Sequence, residues 1–241
     1  MPETLGHPRV HLRSTDSTNE RARALAVAGA PHGTLVSAGE QSAGRGRQGR
    51  RWSAPAGSAL LVSLVLRDSP RPLPPLLPLI AGVAVCDVAG ERARIKWPND
   101  VVFEHDETLA KLAGILVEGR PQDGWAVLGI GLNVAVAVAD LPAELRATAA
   151  TLGQPRSAIE PTLRELLSAL ERRMAEPQET LLETLRERDA LRGRDVSWDA
   201  AGGRVVHGRG AGIDGEGRLV VALDGGGRAT LSAGEVHLLR R

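Results

Sequence analysis

Short apolar runs alternate with helical stretches from residue 10 onward, and the period of each run predicts an element. Residues 10–12 predict a short strand. Asp16-Ser17-Thr18-Asn19-Glu20 supplies N-cap chemistry for a helix that reaches Ala28 and is closed by Gly29. Residues 34–38 and 59–66 predict two more strands, the second continuously apolar and so buried. Between them, residues 39–53 are polar and rich in Gly and Arg, with no apolar period, and predict a loop. A proline-rich stretch over 67–78 leads into a small-residue helix over about 79–89. Residues 94–97 predict a strand stopped by Pro98, and 101–103 resume it after the Asn99-Asp100 turn. Residues 112–118 and 125–134 flank a turn at 121–124 and predict a hairpin; helices follow over 161–174 and 178–188.

Past residue 191 the texture changes to short β-like runs between Gly-Arg, Asp-Gly and Gly-Gly turns, which predicts a separate small β-barrel. The chain therefore divides into a main domain over 1–190 and a small one over 191–241.

Composition narrows the chemistry. A 42% hydrophobic content in 241 residues can fill a core, so disorder is not the expected state. A formal net charge of +1 gives no global field for nucleic acid or an anionic membrane, so any phosphate binding has to be local. The single cysteine, Cys86, lies in an apolar run and is expected to be buried and inert, which excludes a disulfide scaffold. The first residues lack a secretory pattern, and no apolar run approaches the ~20 residues of a membrane span. A soluble, cytoplasmic protein is expected. Only two of the thirty basic residues are lysines, Lys96 and Lys111. In a chain that otherwise uses Arg, a compact point charge on a flexible stem stands out at both places.

Four segments could carry chemistry. Gly44-Arg45-Gly46-Arg47-Gln48-Gly49-Arg50-Arg51-Trp52 combines glycines that let the backbone approach a ligand with forked guanidinium donors, which makes an anion-wrapping loop. A solvated or RNA-contacting Arg-Gly stretch is the alternative. Lys96-Trp97-Pro98-Asn99-Asp100 gathers a cation, an aromatic ring, an amide and a carboxylate around one turn; the ring itself is as expected of a core residue as of a stacking platform. Lys111 precedes the apolar strand Leu112-Ala113-Gly114-Ile115-Leu116-Val117-Glu118 and would stand at its mouth. Gly129-Ile130-Gly131-Leu132-Asn133 ends the partner strand with two glycines that permit close approach. The six histidines show no metal-like spacing, and neither a Gly-x-Ser-x-Gly elbow nor a Walker loop is present.

Taken in order, Ser17-Thr18-Asn19, Gln41 with the Gly-Arg loop, Lys96 to Asp100, Lys111 to Glu118 and Gly129 to Asn133 resemble the biotin protein ligases over residues 14–134. The tail, with Gly212 to Leu219 and Ser232 to Val236, is similar to that family's C-terminal SH3-like domain. The resemblance implies an α/β (α+β) fold, with a mixed-sheet catalytic domain related to class II tRNA synthetases. It implies adenylation of biotin by ATP with Mg²⁺, then transfer to a lysine of a biotin carboxyl carrier protein domain.

Matched by position, Ser17, Thr18, Asn19, Gln41, Gly44, Arg45, Gly46, Arg47, Lys111, Gly114 and Gly129 would bind biotin. Arg45, Arg47, Arg50, Trp52, Lys96, Asn99, Lys111 and Asn133 would serve ATP. Lys111, Arg47 and Asp100 would be catalytic, and Asp100 would hold the magnesium. Only thirteen residues precede Ser14, too few for the helix-turn-helix that some members carry, so no DNA partner is expected. A monomer or weak homodimer is the expected state. Ala150-Thr151-Leu152 stands where many members show Thr-Ser-Leu, and adenine contacts there stay unassigned. The rival readings are a lipoate-type ligase and an RNA-binding protein.

Overall fold

The computed structural model describes residues 5–68, 73–74, 76–105, 108–120, 123–200 and 204–239. Strands β1 (Arg9–Leu12), β2 (Leu35–Ala38), β3 (Ala59–Arg67), β4 (Ala93–Lys96), β5 (Asp100–His105), β6 (Thr108–Arg120) and β7 (Trp125–Asn133) form one mixed sheet in the order β1-β2-β3-β7-β6-β5-β4. β1 and β2 are parallel and the other pairs antiparallel. Helices α1 (Thr18–Val27), α2 (Leu77–Ala89), α3 (Ala143–Arg146), α4 (Ile159–Ala175) and α5 (Gln178–Glu187) complete this part. Beyond it β8 (Asp195–Ala200), β9 (Arg204–Ile213), β10 (Leu219–Leu223), β11 (Arg228–Leu231) and β12 (Val236–Leu238) form an antiparallel sheet in the order β11-β10-β9-β8-β12. Among the described residues no helix is long and apolar enough to cross a membrane.

The period of two in the central strands sorts the residues by face. Leu60, Val62, Leu64 and Leu66 of β3 and Leu128, Ile130 and Leu132 of β7 join α2 and α4 in the main core. Removing one such side chain, as in Leu64→Ala, costs ~2–5 kcal/mol. On the opposite face Val65 and Val127 pack beneath Ala22 and Ala26 of α1. Ser63, Gly129, Gly131 and Asn133 share this second face by the same alternation, so the small and polar positions of two adjacent strands are collected beside α1. α2 is apolar nearly all round and is tied to α4 by the Arg173–Asp87 ion pair at 2.8 Å.

The main core does not stop at the second sheet: Val196, Trp198, Ile213, Leu219, Val221 and Val236 belong to the same cluster as Leu77, Leu79 and Ile95. Trp97 is 3% exposed, and its indole N–H donates to the Gly217 carbonyl at 3.0 Å, so it is a core residue of the junction. Cys86 is buried as expected, and burial raises its thiol pKa to about 12.

Three expectations need correction. Ser17 occupies the N-cap position of α1 but makes no side-chain cap. Instead Gln41 reaches across from the loop, and its Oε1 accepts from the Thr18 backbone N–H at 2.7 Å and the Thr18 hydroxyl at 3.1 Å. Lys111 is not at the mouth of its strand, since β6 begins at Thr108. The loop over 39–53 holds one 3₁₀ turn, Arg47–Gly49, in which Gln48 has φ 54°. The short helix α3 has too few apolar repeats to be read from sequence. Pro121 and Gln122 of the expected hairpin turn, and part of the proline-rich stretch, lie outside the described residues.

Candidate active site

A cavity of about 250 Å³ opens on the α1 face of the sheet, walled by α1, β3, β6, β7 and the Gly-Arg loop. Ser17, Thr18, Asn19, Gln41, Arg45, Gly46, Arg47, Arg50, Trp52, Asn99, Lys111, Gly114, Gly129 and Asn133, all expected from the sequence, line it together. Gly44, Lys96 and Asp100 do not line it. Gly44 instead permits loop closure, since a Cβ there would stand 2.4 Å from the Trp52 carbonyl.

At one end α1 meets the sheet through a dense polar network. The Ser63 hydroxyl donates to Asn19 Oδ1 at 2.6 Å and approaches Thr18 Oγ1 to 2.8 Å, while Asn19 Nδ2 donates to Glu118 Oε2 at 2.8 Å. Gly129 makes this approach possible, because a Cβ there would lie 2.0 Å from Asn19 Oδ1. Arg45 closes the end from the loop side with ion pairs to Glu20 and to Glu118, the latter at 2.9 Å. Ser63, Glu20 and Glu118 were given no site role from the sequence, although Glu20 and Glu118 lie in segments it marked. Ser63 is a lone polar residue inside an apolar strand, which is the signal that could have found it.

The middle of the cavity belongs to Lys111. In a regular strand Lys111 and Gly114 would face opposite sides, but the β5/β6 register shifts between Val101 and Val102. The bulge turns Leu112 and Ala113 both into the core and leaves Lys111 on the same face as Gly114, where a Cβ would sit 3.3 Å from its Nζ. Lys111 Nζ is 2.8 Å from Asp100 Oδ1 and 5.6 Å from the centre of the Trp52 ring. Arg47 donates to Asn99 Oδ1 at 3.0 Å and to the Gly234 carbonyl at 3.2 Å; Arg50 pairs with Glu235 at 2.5 Å. The loop is thus latched to the second sheet. Lys96 stands behind this group. Burial pushes its ammonium below the usual lysine range, with Asp100 and Glu235 opposing and Lys111 and Arg50 adding to the fall.

At the far end Trp52 packs against Gly131, where a Cβ would come within 2.5 Å of the indole. Leu141, Leu145, Thr148 and Ala149 form the remaining wall. Asn133 Nδ2 donates to the Ala150 carbonyl at 2.8 Å, which leaves its Oδ1 buried without a protein partner, like the Trp52 indole N–H. Buried polar atoms are ordinarily paired, so these two mark where a ligand's own polar groups would complete the wall. No cluster of three or more His, Cys, Asp or Glu side chains suited to a metal occurs among the described residues.

A sequence profile of the biotin/lipoate A/B protein ligase family matches residues 11–134, and one of the biotin protein ligase C-terminal domain matches residues 193–239. The chain belongs to this family. The ligase-family chain is 38% identical to the biotin--[acetyl-CoA-carboxylase] ligase of Mycobacterium tuberculosis over 249 residues, covering 95% of this chain and 88% of that one. It is also 38% identical over 160 residues to the bifunctional ligase/repressor BirA of Bacillus subtilis, a match spanning 63% of this chain but only 48%, about half, of that relative. Its fold is that of the biotin protein ligase of Aquifex aeolicus solved with biotin and ATP, with a TM-score of 0.79 and 24% identity, covering 98% of this chain and all of that one.

Proposed function

We propose that this protein adenylates biotin with ATP, releasing pyrophosphate, and then transfers the biotinyl group to a lysine of a biotin carboxyl carrier domain. The observation that carries this reading is the order of chemistry along one cavity: a polar end at Ser17, Thr18, Asn19 and Gln41, cations in the middle at Lys111 and Arg47, and an aromatic-amide end at Trp52 and Asn133. Biotin matches the first end, since its ureido ring offers both N–H donors and a carbonyl acceptor; the dithiolane of lipoate offers neither. The relatives from Mycobacterium tuberculosis and Paracoccus denitrificans carry the name biotin--[acetyl-CoA-carboxylase] ligase, which supports the same substrate.

On this reading the acid's carboxylate reaches Lys111, where the α-phosphate also arrives. Two anions must meet there, and preorganised cations stabilise the charge that builds between them. Lys111 and Arg47 supply that charge, and Asp100 holds the Lys111 ammonium in place from 2.8 Å. The carboxylate oxygen bonds to the α-phosphorus, the bond from that phosphorus to the β-phosphate oxygen breaks, and its electron pair leaves with pyrophosphate. Asn133 Oδ1 would accept from the amino edge of the base. Asp100 stands behind the cavity wall with one oxygen on Lys111, so Mg²⁺, which usually takes one or two carboxylates plus substrate phosphates, would be held by its other oxygen and the phosphates and would neutralise charge there.

Arg45, Gly46 and Arg47 would cover the mixed anhydride and keep water from it until the acceptor amine enters. A free lysine amine has a pKa of about 10.4, so transfer depends on proximity and on access of the neutral form. The test is a coupled assay of pyrophosphate release and carrier labelling on the wild type and Lys111→Ala. Tight binding of lipoate without binding of biotin in calorimetry would move the substrate assignment to lipoate.

A further inference from the structure

A second concavity, about 1070 Å³, runs between the two sheets, and Lys96, Arg192, Arg194 and His237 line it together with the carboxylates Glu104 and Asp195. Arg194 already engages Glu104 in an ion pair, while Asp195 lies 4.0 Å from Arg209. Lys96, which Asp100 and Glu235 also face, and the exposed Arg192 and His237 add further donors to these walls. An anion is the ligand such walls would take.

Its position relates it to the reaction. Thr148 lines both the cleft and the substrate cavity, and its carbonyl accepts the Lys111 backbone N–H at 2.6 Å. Lys96 pairs in register with Asp100, the partner of Lys111. Strand β6 gives the direction: Glu118 stands beside the polar end of the cavity, Lys111 lies between, and Thr108 and Leu109 line the cleft. An acid held at the Asn19 and Glu118 end and reacting at Lys111 has the cleft behind the reacting phosphorus. Displacement at phosphorus places the attacking and leaving oxygens roughly in line.

We propose that this interdomain cleft receives the pyrophosphate expelled by adenylation, with Lys96 at its head and Arg192, Arg194 and His237 along its walls. The proposal rests on the adenylation reading. The carboxylate oxygen bonds to the α-phosphorus, the α-phosphorus to bridging-oxygen bond breaks, and the electron pair stays on that oxygen, so both negative charges of the new terminal phosphate enter the cleft. Without counter-charge the leaving group would remain opposite Lys111 and favour the reverse reaction. The cleft would draw it away from Lys111.

The test measures isotope exchange between inorganic pyrophosphate and ATP in the presence of biotin, alongside direct detection of biotinyl-adenylate by mass spectrometry. Arg192→Glu and, independently, His237→Glu are compared with the wild type and with Arg228→Glu on the edge strand β11. The expected result is a roughly tenfold rise in KM for pyrophosphate in each cleft variant, with biotin affinity and thermal midpoint unchanged and Arg228→Glu like the wild type. An unchanged KM for pyrophosphate in both cleft variants overturns the proposal, as does a change confined to the KM for the carrier domain. If the wild type forms no biotinyl-adenylate at all, the adenylation reading fails; if it forms the adenylate while pyrophosphate kinetics ignore the cleft charges, only the cleft assignment fails.

Discussion

A methyl group is enough to test the polar end of the cavity. The 2.0 Å that would separate a Gly129 Cβ from Asn19 Oδ1 cannot be absorbed by a flexible tip, because Asn19 is held by Ser63 and Glu118. Gly129→Ala should therefore displace Asn19 and weaken biotin binding at least about tenfold, at a stability cost of ~1–3 kcal/mol; calorimetric titration and thermal melting read the two effects separately. At the next position along the cavity, Lys111→Ala should slow adenylate formation by roughly 10²–10³ and also weaken biotin binding, because the acid's carboxylate loses its counter-charge. Lys111→Arg should restore little of that rate, since a planar guanidinium does not fit the space between Asp100, Trp52 and Gly114 in which the ammonium sits. The sequence made Lys111 and Gly129 legible as residue types at telling places. Ser63 and Glu118 escaped it because their importance depends on what faces them across two strands and a helix, and no local pattern records that.

Among the elements, the Gly-Arg loop carries most of the function. Arg45 binds Glu20 and Glu118, Arg47 binds Asn99 and the Gly234 carbonyl, and Arg50 binds Glu235. The side that Arg50 faces belongs to the second sheet, so Glu235 is a positioning residue for the loop. Glu235→Gln should raise KM for ATP several-fold and leave the affinity for biotin unchanged, because Arg45 at the biotin end keeps its own partners; an equal loss for both substrates in steady-state kinetics would contradict this. That the segment is a loop was readable from its missing period. That it is latched at both ends was not, since Glu20 and Glu235 lie far from it in sequence. The bulge in β6 was equally hidden: Leu112 and Ala113 are both apolar, and only the partner strand shows that one of them is extra.

At the scale of the molecule, the expected division near residue 190 follows composition, yet the core runs through it. Trp198, Leu219 and Val221 share a cluster with Leu77, Leu79 and Ile95, and the Trp97 indole crosses the junction to Gly217. The two sheets should unfold in one calorimetric transition, and Trp97→Phe, which leaves the buried Gly217 carbonyl unpaired, should lower the stability of that single transition by ~1–3 kcal/mol. Two separate transitions, with only one of them moved by Trp97→Phe, would show independent units. The fold class and the order of elements were legible because strand and helix periods are local, whereas the continuity of the core across the junction depends on tertiary packing.

The most direct measurement is incubation with biotin, ATP and Mg²⁺ followed by mass spectrometry for biotinyl-adenylate and then addition of a biotin carboxyl carrier domain. The structure leads us to expect one equivalent of bound adenylate, stoichiometric pyrophosphate and transfer to a single carrier lysine, all slowed by roughly 10²–10³ in Lys111→Ala. Absence of adenylate in the wild type, or adenylate formed at undiminished rate by Lys111→Ala, would contradict the account.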